Sequence, residues 1–235
     1  MLWSTLEQIA DEVLACTKCE LSRTRAKAVP GDGAPAAAVL FIGEGPGQSE
    51  DEQGLPFVGR AGQLLDSLLG EVPLKREDVF ITNVVKCRPP GNRDPLPDEV
   101  AACMPYLQAQ IQLINPRVIV TLGRHSMARF YPAGKISQDH GRIIPIGRRV
   151  LLPLYHPAAA LRNPGLTETL RKDIKRIPEA MLESLRLGGP RAASIPGPVG
   201  AEPDGTPVLA GLSQAPDVAP VPAPDDDDQG QMSLF

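Results

Sequence analysis

Apolar positions along this chain fall into two spacings. Residues 37–42, 79–85, 118–122 and 150–154 are short, nearly unbroken apolar runs rich in β-branched side chains, which predicts buried strands. Between them the apolar residues recur at helical intervals. Leu2, Leu6, Ile9, Val13 and Leu14 predict a helix over 5–15, opened by Ser4-Thr5-Leu6-Glu7 in the form of a capping box. Helices are also predicted over 62–69, over 98–114 (Val100, Met104, Leu107, Ile111, Ile114), over 123–130 and over 166–187. Residues 143–146 and 150–154 flank Gly147-Arg148-Arg149 and predict a hairpin-like pair. Strands alternating with helices predict an α/β fold, a three-layer α/β/α sandwich around a central, mostly parallel sheet.

The first strand breaks into Gly43-Glu44-Gly45-Pro46-Gly47, followed by acidic Glu50, Asp51 and Glu52 and then by Pro56-Phe57-Val58-Gly59. Small residues let the backbone turn sharply and approach a ligand closely. Glu44, Asn83 and His156 fall at or near the carboxyl ends of predicted strands, the place where an open α/β sheet gathers a ligand site. Each also has a plainer reading. Asn83 is of the type that caps turns, His156 before Pro157 of the type that enters a helix, and Phe57 of the type that packs a core. His125 and His140 lack comparable settings and read as structural.

Four cysteines add a second candidate. Cys16 and Cys19 form a CxxC, Cys87 follows the second strand, and Cys103 lies in the first turns of the next long helix. Two intervening residues let both thiolates of a CxxC face one metal centre. The alternative is a CxxC with two unrelated buried thiols. Structural zinc usually shows a second close pair, so the scattered spacing favours a cluster with four cysteine ligands.

Charge divides the chain unevenly. Residues 188–235 hold nine prolines, one basic and seven acidic residues, a net −6 against −4 for the whole chain, so residues 1–187 carry +2. Such a tail cannot bury enough apolar surface to order itself, which predicts a disordered tail after a domain spanning 1–187. Apolar residues reappear after Asp225–Asp228, in Gln231-Met232-Ser233-Leu234-Phe235. No targeting pattern opens the chain and no apolar run approaches the roughly 20 residues of a membrane span. The expectation is a cytoplasmic, nucleoid-associated protein, free of membranes and monomeric. In that reducing compartment four cysteines are expected as ligands or buried thiols rather than disulfides.

The motifs together resemble those of the family 4, iron–sulfur uracil-DNA glycosylases. The resemblance is carried by Gly43-Glu44-Gly45-Pro46-Gly47, by residues 54–62 (GLPFVGRAG), by residues 82–90 (TNVVKCRPP) and by residues 156–164 (HPAAALRNP), together with the cysteine spacing. It implies a hydrolase that flips uracil from DNA and cleaves its N-glycosidic bond, starting base excision repair. It implies a [4Fe–4S] cluster on Cys16, Cys19, Cys87 and Cys103. By the same resemblance Phe57 stacks on the ring, the backbone of Gly43, Glu44 and Gly45 lines its edge, Asn83 reads N3–H and O4, and His156 donates to O2. Related families place an Asp where Gly45 stands, so Glu44 becomes the candidate for aiding water attack. Glu50 is a candidate for excluding thymine, and Leu161 or Arg162 for the wedge that fills the gap in the duplex. A sibling branch carries an inserted Lys-Arg-Arg-Ile-His segment and links covalently to DNA; this chain lacks the insertion, and simple hydrolysis is expected. Gln231, Met232, Leu234 and Phe235 resemble the peptide with which bacterial proteins dock on the replication sliding clamp. Two other classes compete: a nucleotide-binding protein, which the absence of a dinucleotide fingerprint or Walker loop weakens, and a non-catalytic iron–sulfur protein that only binds DNA.

Overall fold

The computed structural model describes residues 3–189. The predicted tail lies outside the described residues except for its first two positions, as do Gln231, Met232, Leu234 and Phe235. In chain order the elements are α1 (Leu6–Ala15), α2 (Leu21–Thr24), β1 (Asp32–Gly33), β2 (Val39–Gly43), α3 (Gln48–Gln53), α4 (Arg60–Leu69), β3 (Phe80–Asn83) and α5 (Pro97–Ile114). They continue with β4 (Val118–Leu122), α6 (Arg124–Met127), α7 (Ile136–Asp139), β5 (Ile144–Ile146), β6 (Arg149–Leu154), α8 (Pro157–Arg162), α9 (Gly165–Ile174) and α10 (Ile177–Arg186).

The sheet runs β1-β3-β2-β4-β6-β5, with β3, β2, β4 and β6 parallel and an antiparallel strand at each edge. Alternate residues of the central strands feed two cores, as the period of two requires. Leu40, Ile42, Ile119 and Leu151 pack with Ile9 and Val13 of α1 and Tyr106 and Leu107 of α5. Val39, Phe41, Val118 and Val120 pack instead with Leu65 of α4, Leu170 and Ile174 of α9 and Ile177 of α10. The predicted three-layer α/β/α sandwich is the observed one.

Several details differ from the pattern-based expectation. The predicted helix over 166–187 is two helices, because Pro178 sits in the first turn of α10 and cannot supply the N–H that a continuous helix needs there. Thr5, not Ser4, caps α1, its hydroxyl accepting from the Gln8 amide at 3.3 Å, while Ser4 bonds the Gln8 side chain. The second strand stops at Asn83 rather than at residue 85, since the Val84 and Val85 amides turn to the Gly43 and Glu44 carbonyls at 2.9 and 3.0 Å. The short helix after β4 spans only Arg124–Met127. β1, α3 and α7 are too short to leave a period in the sequence.

Two features position a site. Register sets Gly43 opposite Asn83 and Leu122 opposite Leu154, so the carboxyl ends of the parallel strands are level. The connection from β2 leads to α4 on one face of the sheet and that from β3 to α5 on the other, which opens a crevice between their ends.

Candidate active site

Asn83 ends β3 with 1% of its surface exposed, and its side-chain Oδ1 has no hydrogen-bond partner among the described residues. A buried acceptor left unmet costs about 1–3 kcal/mol, so its persistence marks a place where a donor is missing. Gly43 makes room for it: a Cβ there would lie 2.3 Å from Asn83 Oδ1 and 2.7 Å from Phe57 Cζ.

Phe57 is buried with φ of +51°, a left-handed backbone that costs a bulky L-residue roughly 1–2 kcal/mol. Three contacts hold it there. Arg76 donates to the Phe57 carbonyl at 3.2 Å and to the Pro56 carbonyl, and is itself paired with Asp66 at 2.8 Å. Glu50 Oε1 accepts from the Val58 and Gly59 amides, both at 2.8 Å. Gly62 packs so tightly beneath the loop that a Cβ would lie 1.9 Å from the Phe57 carbonyl oxygen. Glu50 thus anchors the loop that carries Phe57, a role its acidic surroundings in the sequence did not suggest.

His156 caps the amino end of α8, and its ring lies 5.7 Å from that of Phe57, the planes inclined by 30°. Its Nδ1 accepts from the Ala158 amide at 3.1 Å, which puts the ring hydrogen on Nε2. Burial pushes its pKa down to about 4, against the pull of nearby Glu50, so the imidazole is neutral at physiological pH. α8 ends at Arg162, and both Leu161 (40% exposed) and Arg162 stand at the surface.

Glu44 follows β2 and is joined by two residues that sequence reasoning missed. His125 Nε2 lies 3.9 Å from Glu44 Oε2 and 3.0 Å from Asp94 Oδ2, and Arg124 holds Asp94 at 3.2 Å. Burial, then the Asp94 carboxylate, pushes Glu44 up to about 8, with Arg124 opposing. His125 does have a setting comparable to that of His156: it sits just past the end of β4, as His156 sits just past β6, and the strand-end rule applied evenly finds it. Asp94 carried no such signal. Gly45 lies against Val85, whose Cγ2 would be 2.9 Å from a Cβ, so nothing larger fits without a shift.

Away from the crevice, Cys16, Cys19, Cys87 and Cys103 line one small cavity. Two donors already face its sulfurs: Arg25 Nη1 at 2.9 Å from Cys87 Sγ, and the Lys86 amide at 3.3 Å from Cys103 Sγ. Arg25 also ties the Leu14 and Cys16 carbonyls at 3.0 and 2.9 Å, which fixes the end of α1 over the cavity. Burial pushes Cys103 up to about 11 and raises Cys19 and Cys87 too, so the cavity disfavours free thiolates and favours thiolates matched by a cation.

With this geometry in place, comparison with known proteins defines the class. Residues 30–178 match the model of the Uracil DNA glycosylase superfamily, and the chain belongs to that superfamily. Within it, the chain is 47% identical to the Type-4 uracil-DNA glycosylase of Sulfurisphaera tokodaii, over 77% of this chain and 87% of the relative. It is 49% identical to that of Saccharolobus solfataricus, over 75% and 86%, and 48% identical to that of Thermotoga maritima, over 67% and 84%. These relatives put it in the type-4 branch. No helix among the described residues is long and apolar enough to cross a membrane.

Proposed function

We propose that this protein is a DNA repair enzyme that excises uracil by hydrolysing its N-glycosidic bond. The unmet Oδ1 of Asn83 beside the Phe57 ring carries the reading. Uracil offers N3–H to that oxygen and takes the Asn83 amide hydrogen on O4. Cytosine reverses both, presenting an acceptor to an acceptor, and leaves the buried amide mismatched. The target bond is hidden in a duplex, so the nucleotide must leave the stack; Leu161 and Arg162 at the exposed end of α8 suit the wedge.

As the bond breaks, negative charge grows on the departing base, and His156 donates from Nε2 to O2. A neutral imidazole is the right donor here, because Nδ1 holds the Ala158 amide and fixes the tautomer. The sugar becomes cationic, and Glu44, with Asp94 and His125 beside it, steadies the attacking water. Glu50, whose Oε1 secures the Val58 and Gly59 amides, is positioned by that anchor to crowd a thymine methyl group.

The four cysteines fit a [4Fe–4S] cluster. Gathered at one cavity from α1, the turn after β3 and α5, with Arg25 and the Lys86 amide facing two of the sulfurs, they follow the scattered spacing of cluster ligands rather than the paired spacing usual for zinc. A cluster would supply a rigid tie between α1, the turn after β3 and α5. Residues 1–187 would form the catalytic domain, and Gln231, Met232, Leu234 and Phe235 would dock on a sliding clamp; unchanged clamp binding after deletion of 231–235 would remove that part.

The test is alkali-revealed strand cleavage of an oligonucleotide containing one uracil, beside thymine and cytosine controls. Cleavage at uracil alone, lost in Asn83→Ala, is the expected result. No cleavage by folded, iron-loaded protein would overturn the enzyme reading in favour of a binding protein.

A further inference from the structure

Lys86 is 1% exposed, lies between Asn83 and Cys87 in sequence, and takes no part in the mechanism above. Its Nζ reaches Thr82 Oγ1 at 2.6 Å, Gln110 Oε1 at 2.7 Å and the Asn83 carbonyl at 2.8 Å. All three groups can only accept. The Thr82 hydroxyl places its hydrogen on the Pro30 carbonyl at 3.0 Å or on Gln110 Oε1 at 3.3 Å, and the Gln110 amide donates to the same carbonyl at 2.7 Å. Three acceptors thus converge on Nζ and hold the side chain in one position. No carboxylate lies among its hydrogen-bond partners. On its main-chain side the Lys86 amide donates to Cys103 Sγ at 3.3 Å.

We propose that Lys86 is a positioning residue that ties the four-cysteine site to the base-reading Asn83. Its main chain is held by Cys103, and by the Val29 amide, which donates to the Lys86 carbonyl at 2.7 Å. Its side chain folds back to hold the Asn83 peptide, whose other side is fixed where the Val84 amide meets Gly43. Asn83 is thereby set between the cysteine cavity and the glycine that makes room for its side chain. A filled cysteine site and a bound uracil should then each favour the other, since coupling between two sites is reciprocal.

This inference rests on the uracil-excision reading, and the experiment separates the two. Lys86→Met, which keeps the stem and deletes the hydrogen-bonding head, is compared with the wild type for inhibition by free uracil and for iron release to a chelator with and without uracil. Leaving the buried Asn83 carbonyl unmet predicts a uracil inhibition constant raised about 10- to 100-fold. Uracil should slow iron release from the wild type and leave Lys86→Met unaffected, which a merely structural lysine would not predict. Thr82→Val, which removes one acceptor and keeps the lysine, should raise the constant about 3-fold, and it decides the matter if Lys86→Met does not fold. Unchanged uracil inhibition in whichever variant folds overturns the proposal. A wild type that neither excises nor binds uracil overturns the functional reading instead.

Discussion

The cysteine cavity and the crevice at the strand ends are both assembled from polar groups inside the molecule, yet they are built in opposite ways. Around the cavity the donors have found their acceptors: Arg25 bridges a sulfur and two carbonyls, and Lys86 has a partner for every hydrogen on Nζ. In the crevice an Asn oxygen is left unmet, a Phe sits in a left-handed conformation, and a carboxyl is held near pKa 8. Satisfied polar groups make a rigid joint; unmet ones make a site that gains energy only when something binds. The two should therefore fail differently.

Cys103→Ser should have the largest effect and act on the fold. If the four cysteines hold the proposed cluster, removing one of them is expected to lower the bound iron and reduce stability by about 3–5 kcal/mol, read as a lower melting temperature. Wild-type iron content and melting temperature in this variant would erase the contrast. His156→Ala should do the reverse, lowering kcat/KM for uracil by about 10²- to 10³-fold, roughly 3–4 kcal/mol, as loss of one oxyanion donor does. It should cost the fold less, about 1 kcal/mol, because Nδ1 caps α8 at the Ala158 amide. The group's depressed pKa means the fold loses stability as pH falls through the ordinary histidine range toward 4.

Gly62→Ala sharpens the comparison, because Gly62 belongs to the crevice yet touches no substrate. A methyl group 1.9 Å from the Phe57 carbonyl must move the loop, at a cost of about 1–3 kcal/mol in stability together with weaker uracil binding. Loss of stability with intact binding would show that the Phe57 loop adapts. The smallest effect concerns pH. If Glu44 serves as a carboxylate, kcat/KM should rise with pH up to about 8 and then level, and Glu44→Gln should flatten the profile. Asp94, Arg124 and His125 face this group, so Asp94→Asn should move the inflection downward by removing the like charge. The same raised pKa works against the fold: the contribution of a protonated Glu44 is complete at acid pH and fades as pH climbs toward 8.

The sequence by itself determined the architecture and most of the site. Unbroken apolar runs in β2 and β4 and helical spacing in α1, α4 and α5 are local consequences of side-chain order, readable without a partner. Asn83 and His156 could be named because strand ends follow from where such runs stop, and the glycine loop because close approach admits little else. Tertiary structure alone decided the rest. Asp94 meets His125 across thirty-one positions, and Lys86 meets Gln110 across twenty-four. Neither pair leaves a spacing in the chain. A period records which face a residue presents to its own element, whereas a polar contact between elements depends on how those elements dock. Whether four cysteines formed one cavity, whether Asn83 kept an unmet oxygen and how far Glu44 was forced from its ordinary pKa were set by burial, a property of the packed molecule.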